Sequence, residues 1–260
     1  MGSWVIGLFG GGAQQGMGAP SVATGDPVAA LRLAESTRER EMAAIRREPV
    51  FRREAERFEQ AVSRVRSAGE ALDDPRIRGF LLKAIGLPGL IDSPGLVKRA
   101  LLSDPDDPKG LLARLNNQQL TAAARALRLD KGLDAIRLPE AVARLREGWV
   151  RAEWFDRLRQ RDPVSADAIL FREQAGNYAG NIWGVLGDQV VRRVVTTAVG
   201  LPPELAIMSV EAQARTLSAR FDPAKLSDPR FVERFAMRYA VVASSQPQAL
   251  AGGLLSGLRA

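Results

Sequence analysis

Phe51, Ala55, Phe58, Val62 and Val65 follow one another at spacings of four, three, four and three residues. That rhythm puts all five side chains on one face of an α-helix, whereas a strand would scatter them over both of its faces. Arg52, Arg53, Glu56, Arg57 and Arg64 fall off the stripe and face water. Gly69 reads as the end of this helix. Upstream, Asp26-Pro27 is a helix start: the Asp side chain caps free N–H groups and Pro fits the first turn. That helix runs to about Glu48 and is stopped by Pro49. Further helices are expected at about 75–86, 93–102, 107–115, 117–128, 139–161, 165–184, 188–199, 209–220 and 228–243. No stretch alternates as a strand between turn signals. The fold class is therefore all-α and multihelical.

The chain also resembles itself. At an offset of 114, residues 74–88 and 188–202 share Asp74/Asp188, Arg78/Arg192, Ala84/Ala198, Gly86/Gly200, Leu87/Leu201 and Pro88/Pro202. Each copy is an apolar helix closed by a Gly able to adopt a left-handed turn, followed by a Pro that forbids continuation. The expected architecture is two pseudo-symmetric helical repeats, about 50–130 and 164–243, packed together within a helical domain 26–243 and joined by a long linking helix at 138–161.

The ends differ from this middle. Residues 1–25 hold eight Gly and no charged side chain, and in residues 244–260 Arg259 is the only charge. Both are expected to be disordered tails. The apolar run Trp4 to Phe9 is far shorter than the roughly 20 residues of a membrane-spanning helix. The glycines lack the Gly-Lys-Ser/Thr that a phosphate loop needs.

Composition narrows the chemistry. The 260 residues include no Cys and no His. That excludes disulfides, thiolate and imidazole metal ligands, Cys nucleophiles and triads built on His. There are 37 basic and 30 acidic side chains, a net charge of +7. From Arg38 to Arg66, nine Arg alternate with six Glu, the pattern of a solvated helix face laced with ion pairs. Without an uninterrupted basic tract or interleaved aromatics, nucleic acid is not an expected partner.

The residues Asp73-Asp74-Pro75-Arg76, Leu82 to Leu87, Leu101 to Pro108 and Leu111 to Leu115 resemble an uncharacterised all-helical family of alphaproteobacteria, domain of unknown function 1217. The resemblance covers about residues 73–129. A weaker match stands at Leu226-Ser227-Asp228-Pro229-Arg230-Phe231, and Asp26 to Leu31 fits the family's usual start. The chain departs from the family at Asn116-Asn117-Gln118-Gln119, where Asp-x-Arg-aromatic is usual, and at Ile85 and Val199, where Phe is usual. Genes of that family are often found among flagellar genes. The resemblance therefore implies a flagellar association and supplies no catalytic residue.

The remaining clusters read as structure. Asp104, Asp106 and Asp107 form the densest carboxylate group, but their spacing is not that of a calcium loop, and Asp before Pro is a helix start. Glu153 and Asp156 lie within reach of Arg151 and Arg157 on one helix. Trp149, Trp154 and Phe155 read as core, with a helix-in-groove anchor as the alternative. Arg192-Arg193 reads as helix surface. No catalytic, cofactor-binding or metal residue is assigned. The expected function is that of a non-enzymatic, flagellum-associated structural or accessory protein acting by helix-mediated contacts with flagellar components, exported or not. A cytoplasmic helical adaptor for a flagellar subunit is the alternative. The candidate interaction surfaces are the two tails and the exposed basic helix faces.

Overall fold

The computed structural model describes residues 25–115 and 117–245. Within them the chain forms fourteen α-helices and no strand. In order they are α1 (Pro27–Arg47), α2 (Pro49–Arg64), α3 (Ala68–Asp73), α4 (Pro75–Ala84), α5 (Pro94–Leu101), α6 (Leu111–Leu115), α7 (Gln118–Leu127), α8 (Asp134–Arg137), α9 (Pro139–Arg161), α10 (Pro163–Gln174), α11 (Ile182–Gly187), α12 (Gln189–Ala198), α13 (Val210–Ser218) and α14 (Pro229–Ser245). Seven of them start on proline, whose missing N–H is no loss in a first turn. Asp26, Asp74 and Asp162 each accept a hydrogen bond from a first-turn N–H of the helix that follows. The tails expected to be disordered lie outside the described residues, except for Gly25 and for Ser244 and Ser245, which close α14.

The internal repeat extends through helix boundaries. Pro163 begins α10 114 positions after Pro49 begins α2, and α3 and α4 coincide at both ends with α11 and α12 under the same shift. The two stops are superimposable in geometry. Gly86 has φ +76° and Gly200 +68°, in the left-handed region where a Cβ is penalised. Leu87 N–H donates to Leu82 C=O at 2.8 Å, and Leu201 N–H to Thr196 C=O at 2.9 Å, the long bond of a Schellman turn. Arg78 and Arg192 each reach back to a carbonyl of the preceding short helix, Leu72 and Leu186 respectively.

α9, expected as a linker, is also the counterpart of α1: each is separated by a single residue from a proline-started helix. It packs against α1 and α4 of the first half and α10 of the second. Its apolar face carries Leu145, Trp149, Val150, Trp154, Phe155 and Leu158, all buried. Trp149 meets Phe51 of α2 at a tilt (centroids 5.3 Å apart, planes at 42°) and stacks with Phe80 of α4 (6.3 Å). In the second half, Phe235 of α14 meets Phe171 of α10 at 5.8 Å. Buried side chains from both halves form one continuous core.

The charged face of 38–66 is used differently from the expected lacing along one helix. Its ion pairs run mostly between helices. Arg38 pairs with Glu173, Arg46 with Glu147, Glu48 with Arg157 in a bidentate fork, Glu41 with Arg161 and Glu59 with Arg146. Trp154 donates its indole N–H to Glu41 at 3.0 Å, and Arg38 lies over the same ring at 4.9 Å. Burial pushes the Glu41 carboxyl up, but hydrogen bonds from Arg161, Thr37 and Trp154 outweigh it and hold the group below its ordinary value. The Arg157 fork holds Glu48 low, and Lys83 and Arg157 overcome burial at Glu153.

Three boundaries differ from the sequence expectation, each for a local reason. Gly69 does not end α2 but lies inside α3, which Ser67 caps. α2 ends because Arg137 of α8 donates to the carbonyls of Val62 and Val65, a tertiary cap. The helix expected over 165–184 is broken by a 3-10 turn, Ala175–Tyr178, and by Gly180 at φ +72°, after which Asn181 caps α11. At 107–115 only Leu111–Leu115 is helical, because Asp107 accepts from Lys109 N–H and holds a turn.

α9 crosses α4 so closely that a β-carbon on Gly148 would overlap the Ala84 carbonyl oxygen. Gly148→Ala is therefore expected to cost about 1–3 kcal/mol in a denaturant titration. Gly89→Ala adds its methyl to open space and should stay within about 0.5 kcal/mol. The depressed carboxyls set a pH dependence. Each contributes stability that is complete above its ordinary value, 4.5 for glutamate, and is lost as pH falls through its folded value. The urea midpoint should therefore fall on acidification below about 4.5, and Arg157→Ala should flatten part of that fall.

Candidate functional site

A groove of about 910 Å³ lies between α2 and α9, open to solvent, with Ile136 and Arg137 of α8 in its lining. Phe51, Val62, Ile136, Val142 and Val150 line it with apolar surface. Five charged side chains stand around them: Arg46, Glu59, Arg137, Arg146 and Glu147. Each has a partner within the protein. Arg46 is forked onto Glu147 (2.5 and 3.0 Å), Arg146 meets Glu59 at 3.2 Å, and Arg137 is held by the end of α2. The groove thus offers shape and apolar surface, with no unpartnered acid or base to move a proton.

The sequence candidates are placed as follows. Asp104, Asp106 and Asp107 surround no common point; among the described residues no carboxylate group is arranged to hold a metal ion. Asp106 accepts from Arg125 and Arg128 at 3.1 and 2.7 Å, and these two cations hold its carboxyl low. Arg128, also paired with Asp130, is a non-glycine residue at φ +42°. The acidic cluster thus anchors a left-handed helix end. Glu153 pairs with Arg157 along α9 as its spacing implies, and also with Lys83 of α4 at 2.5 Å. Arg151 reaches Glu173 of α10. Trp149, Trp154 and Phe155 are core.

Arg193 departs from its expected place on the surface. Its guanidinium is forked onto Asp167 of α10 at 2.6 and 2.9 Å, and Tyr239 of α14 donates its hydroxyl to the same carboxylate at 3.2 Å. Asp167 is 4% exposed and Tyr239 1%. Burial, with Asp167 adjacent, pushes the Tyr239 hydroxyl far above its ordinary value, so it stays a donor. Tyr178 behaves alike: it is buried, raised, and donates to Asp188 at 2.8 Å. Asp188 also accepts from Gln119 of α7, tying the two halves together. The signal was present in the sequence: Asp167 inside the apolar run Ala166 to Phe171, and the pair Arg192-Arg193 inside Val190 to Val195, need partners where they are buried.

Two surfaces remain uncovered in the second half. Trp183 of α11 and Ile207, Met208 and Val210 before and at the start of α13 are exposed, Ile207 by 88%. Along α14, Arg230, Arg234 and Arg238 are exposed one helical turn apart. The tails, the other expected interaction surface, lie outside the described residues.

A model described as a protein of unknown function (DUF1217) matches residues 84–232. That span takes in both copies of the Gly-Leu-Pro stop. The chain is similar in fold to an X-ray crystal structure of a protein from Agrobacterium tumefaciens, at a TM-score of 0.71 and 18% identity, over 85% of this chain and 94% of that one. No curated protein matches. No helix among the described residues is long and apolar enough to cross a membrane.

Removing Asp167 leaves Arg193 half-buried without its counter-charge. Asp167→Ala is expected to cost about 2–4 kcal/mol, a value discounted for the exposed edge of the arginine. The pair Asp167→Leu with Arg193→Met should recover most of that loss in the same urea titration.

Proposed function

Since the chain belongs to the DUF1217 family of proteins of unknown function, we propose that it is a non-enzymatic, flagellum-associated structural or accessory protein that works by helix-mediated contact with another flagellar component. The flagellar part of this reading comes from the genomic company that the family resemblance implies. The interaction part is carried by the α2–α9 groove. Its apolar lining and fully partnered rim suit a helix laid into it, in the mode of helix-in-groove recognition. The same partnering speaks against acid–base chemistry there. Export through the flagellar secretion apparatus belongs to the same proposal. A chain without disulfides carries no crosslink that would have to be undone for passage.

Two experiments test the reading. The protein, tagged at an internal loop, is followed through cytoplasm, basal body and culture medium of a flagellated host. Recovery from the basal body or medium, lost when the export gate is deleted, is the expected outcome. Confinement to the cytoplasm would replace this reading with that of an adaptor for a flagellar subunit. Val142→Arg fills the groove from a half-buried position. It should leave the unfolding midpoint within a degree or two and abolish co-fractionation; retained co-fractionation would remove the groove from the proposal.

A further inference from the structure

Arginine docks α1, α9 and α10 to one another in one consistent way. Arg157 and Arg161, four residues apart on α9, meet Glu48 and Glu41, which stand at the end of α1 and on its face. Arg38 of α1 and Arg151 of α9 converge on Glu173 of α10, and Arg172 of α10 reaches Glu35 of α1. Helices here dock by setting a row of arginines on one against glutamates on the next. The flat guanidinium fork suits this, because it takes a carboxylate with two parallel hydrogen bonds.

α14 carries half of such an arrangement. Arg230, Arg234 and Arg238 recur every fourth residue, about 6 Å apart along the axis. They stand on the exposed side of a helix whose other side buries Val232, Phe235, Ala236, Tyr239 and Ala240. Val241, 49% exposed, continues the row. The ion pairs among the described residues span Glu35 to Arg193, and none involves Arg230, Arg234 or Arg238. The neighbouring acids do not fill the gap. Asp228 accepts from the Arg230 backbone N–H and Asp222 from that of Ala224, while Glu233 flanks the row without pairing to it. Nor do the segments outside the described residues hold a complement, because 1–24 and 246–260 contain no Asp or Glu.

We propose that the exposed row Arg230–Arg234–Arg238 on α14 is a docking surface for an acidic helix of a partner protein, one bearing carboxylates at four-residue spacing. The inference rests on the reading of the protein as an interaction protein and adds the chemistry of one partner. A single row matches the single row of charges along a helix. It is narrower than the broad basic face that a phosphate backbone or an anionic bilayer engages. The glutamate at its flank and the valine at its end are tolerable beside a mixed helical surface and unhelpful beside a lattice of phosphates.

The test uses the full chain and three probes: a synthetic helical peptide with Glu at every fourth position, an oligothymidylate, and vesicles containing phosphatidylglycerol. The peptide should bind at low ionic strength, and its Gln-substituted form should not. The triple variant Arg230→Gln, Arg234→Gln, Arg238→Gln should weaken peptide binding about tenfold. Arg52→Gln, Arg64→Gln, Arg66→Gln removes the same charge from the exposed side of α2 and the turn after it, and should change binding less than threefold. Unchanged far-ultraviolet circular dichroism and unfolding midpoint confirm that both variants fold. Equal losses in the two triple variants, or tighter binding of the oligonucleotide or the vesicles than of the acidic peptide, would overturn the proposal. These titrations read α14 alone, whereas the fractionation above reads the flagellar assignment, so the two fail separately.

Discussion

The close crossing of α9 over α4 is the constraint on which the remaining architecture depends. Gly148 lets the two backbones approach, Trp149 beside it fills the space toward α2, and Lys83 covers the indole face at 4.3 Å while holding Glu153. With α9 fixed there, its other sides are presented to α1 and α10. The inter-helix ion pairs then follow as a lining along an apolar contact that is already made. Exposed pairs of this kind are individually worth little. Their orderly arrangement between α1, α9 and α10 makes them better regarded as setting register than as supplying most of the stability.

Much of the fold was legible because it was written in local signals. Proline at a first turn, aspartate before it, and glycine in a left-handed turn each act over a few residues. The paired stops at Gly86 and Gly200 could therefore be placed from the sequence. What could not be read depended on distant partners. The end of α2 is set by Arg137, 75 positions beyond Val62. The fate of Arg193 is set by Asp167 and Tyr239, on two other helices. The nine arginines of 38–66 looked like one solvated face because one-dimensional spacing cannot distinguish a partner four residues away from one more than a hundred away.

The candidate surfaces were less legible still. The α2–α9 groove needs residues from four helices and exists only once α8 has turned the chain back. Its charged rim is indistinguishable in sequence from any solvent-exposed helix face. By contrast, the repeat isolates what is particular to the second half. Gly69 and Ser93 stand 114 positions before Trp183 and Ile207, so the exposed apolar residues there are not a shared property of the two units. The halves keep a common frame and present different outsides.

The arrangement of α1 has a consequence for the order of assembly. Its buried residues, Leu31, Ala34, Met42 and Ile45, are covered by α9, α10 and α14, and Arg172 reaches Glu35 across 137 positions. Among the described helices α1 comes first in the chain and α14, one of its neighbours, comes last, so α1 waits longest for its full complement of neighbours. Closure over such sequence separations is slow relative to local helix formation. Until α14 has emerged, an apolar stripe remains open on α1. The newborn chain thus has a built-in interval, after its helices can form and before its core can shut.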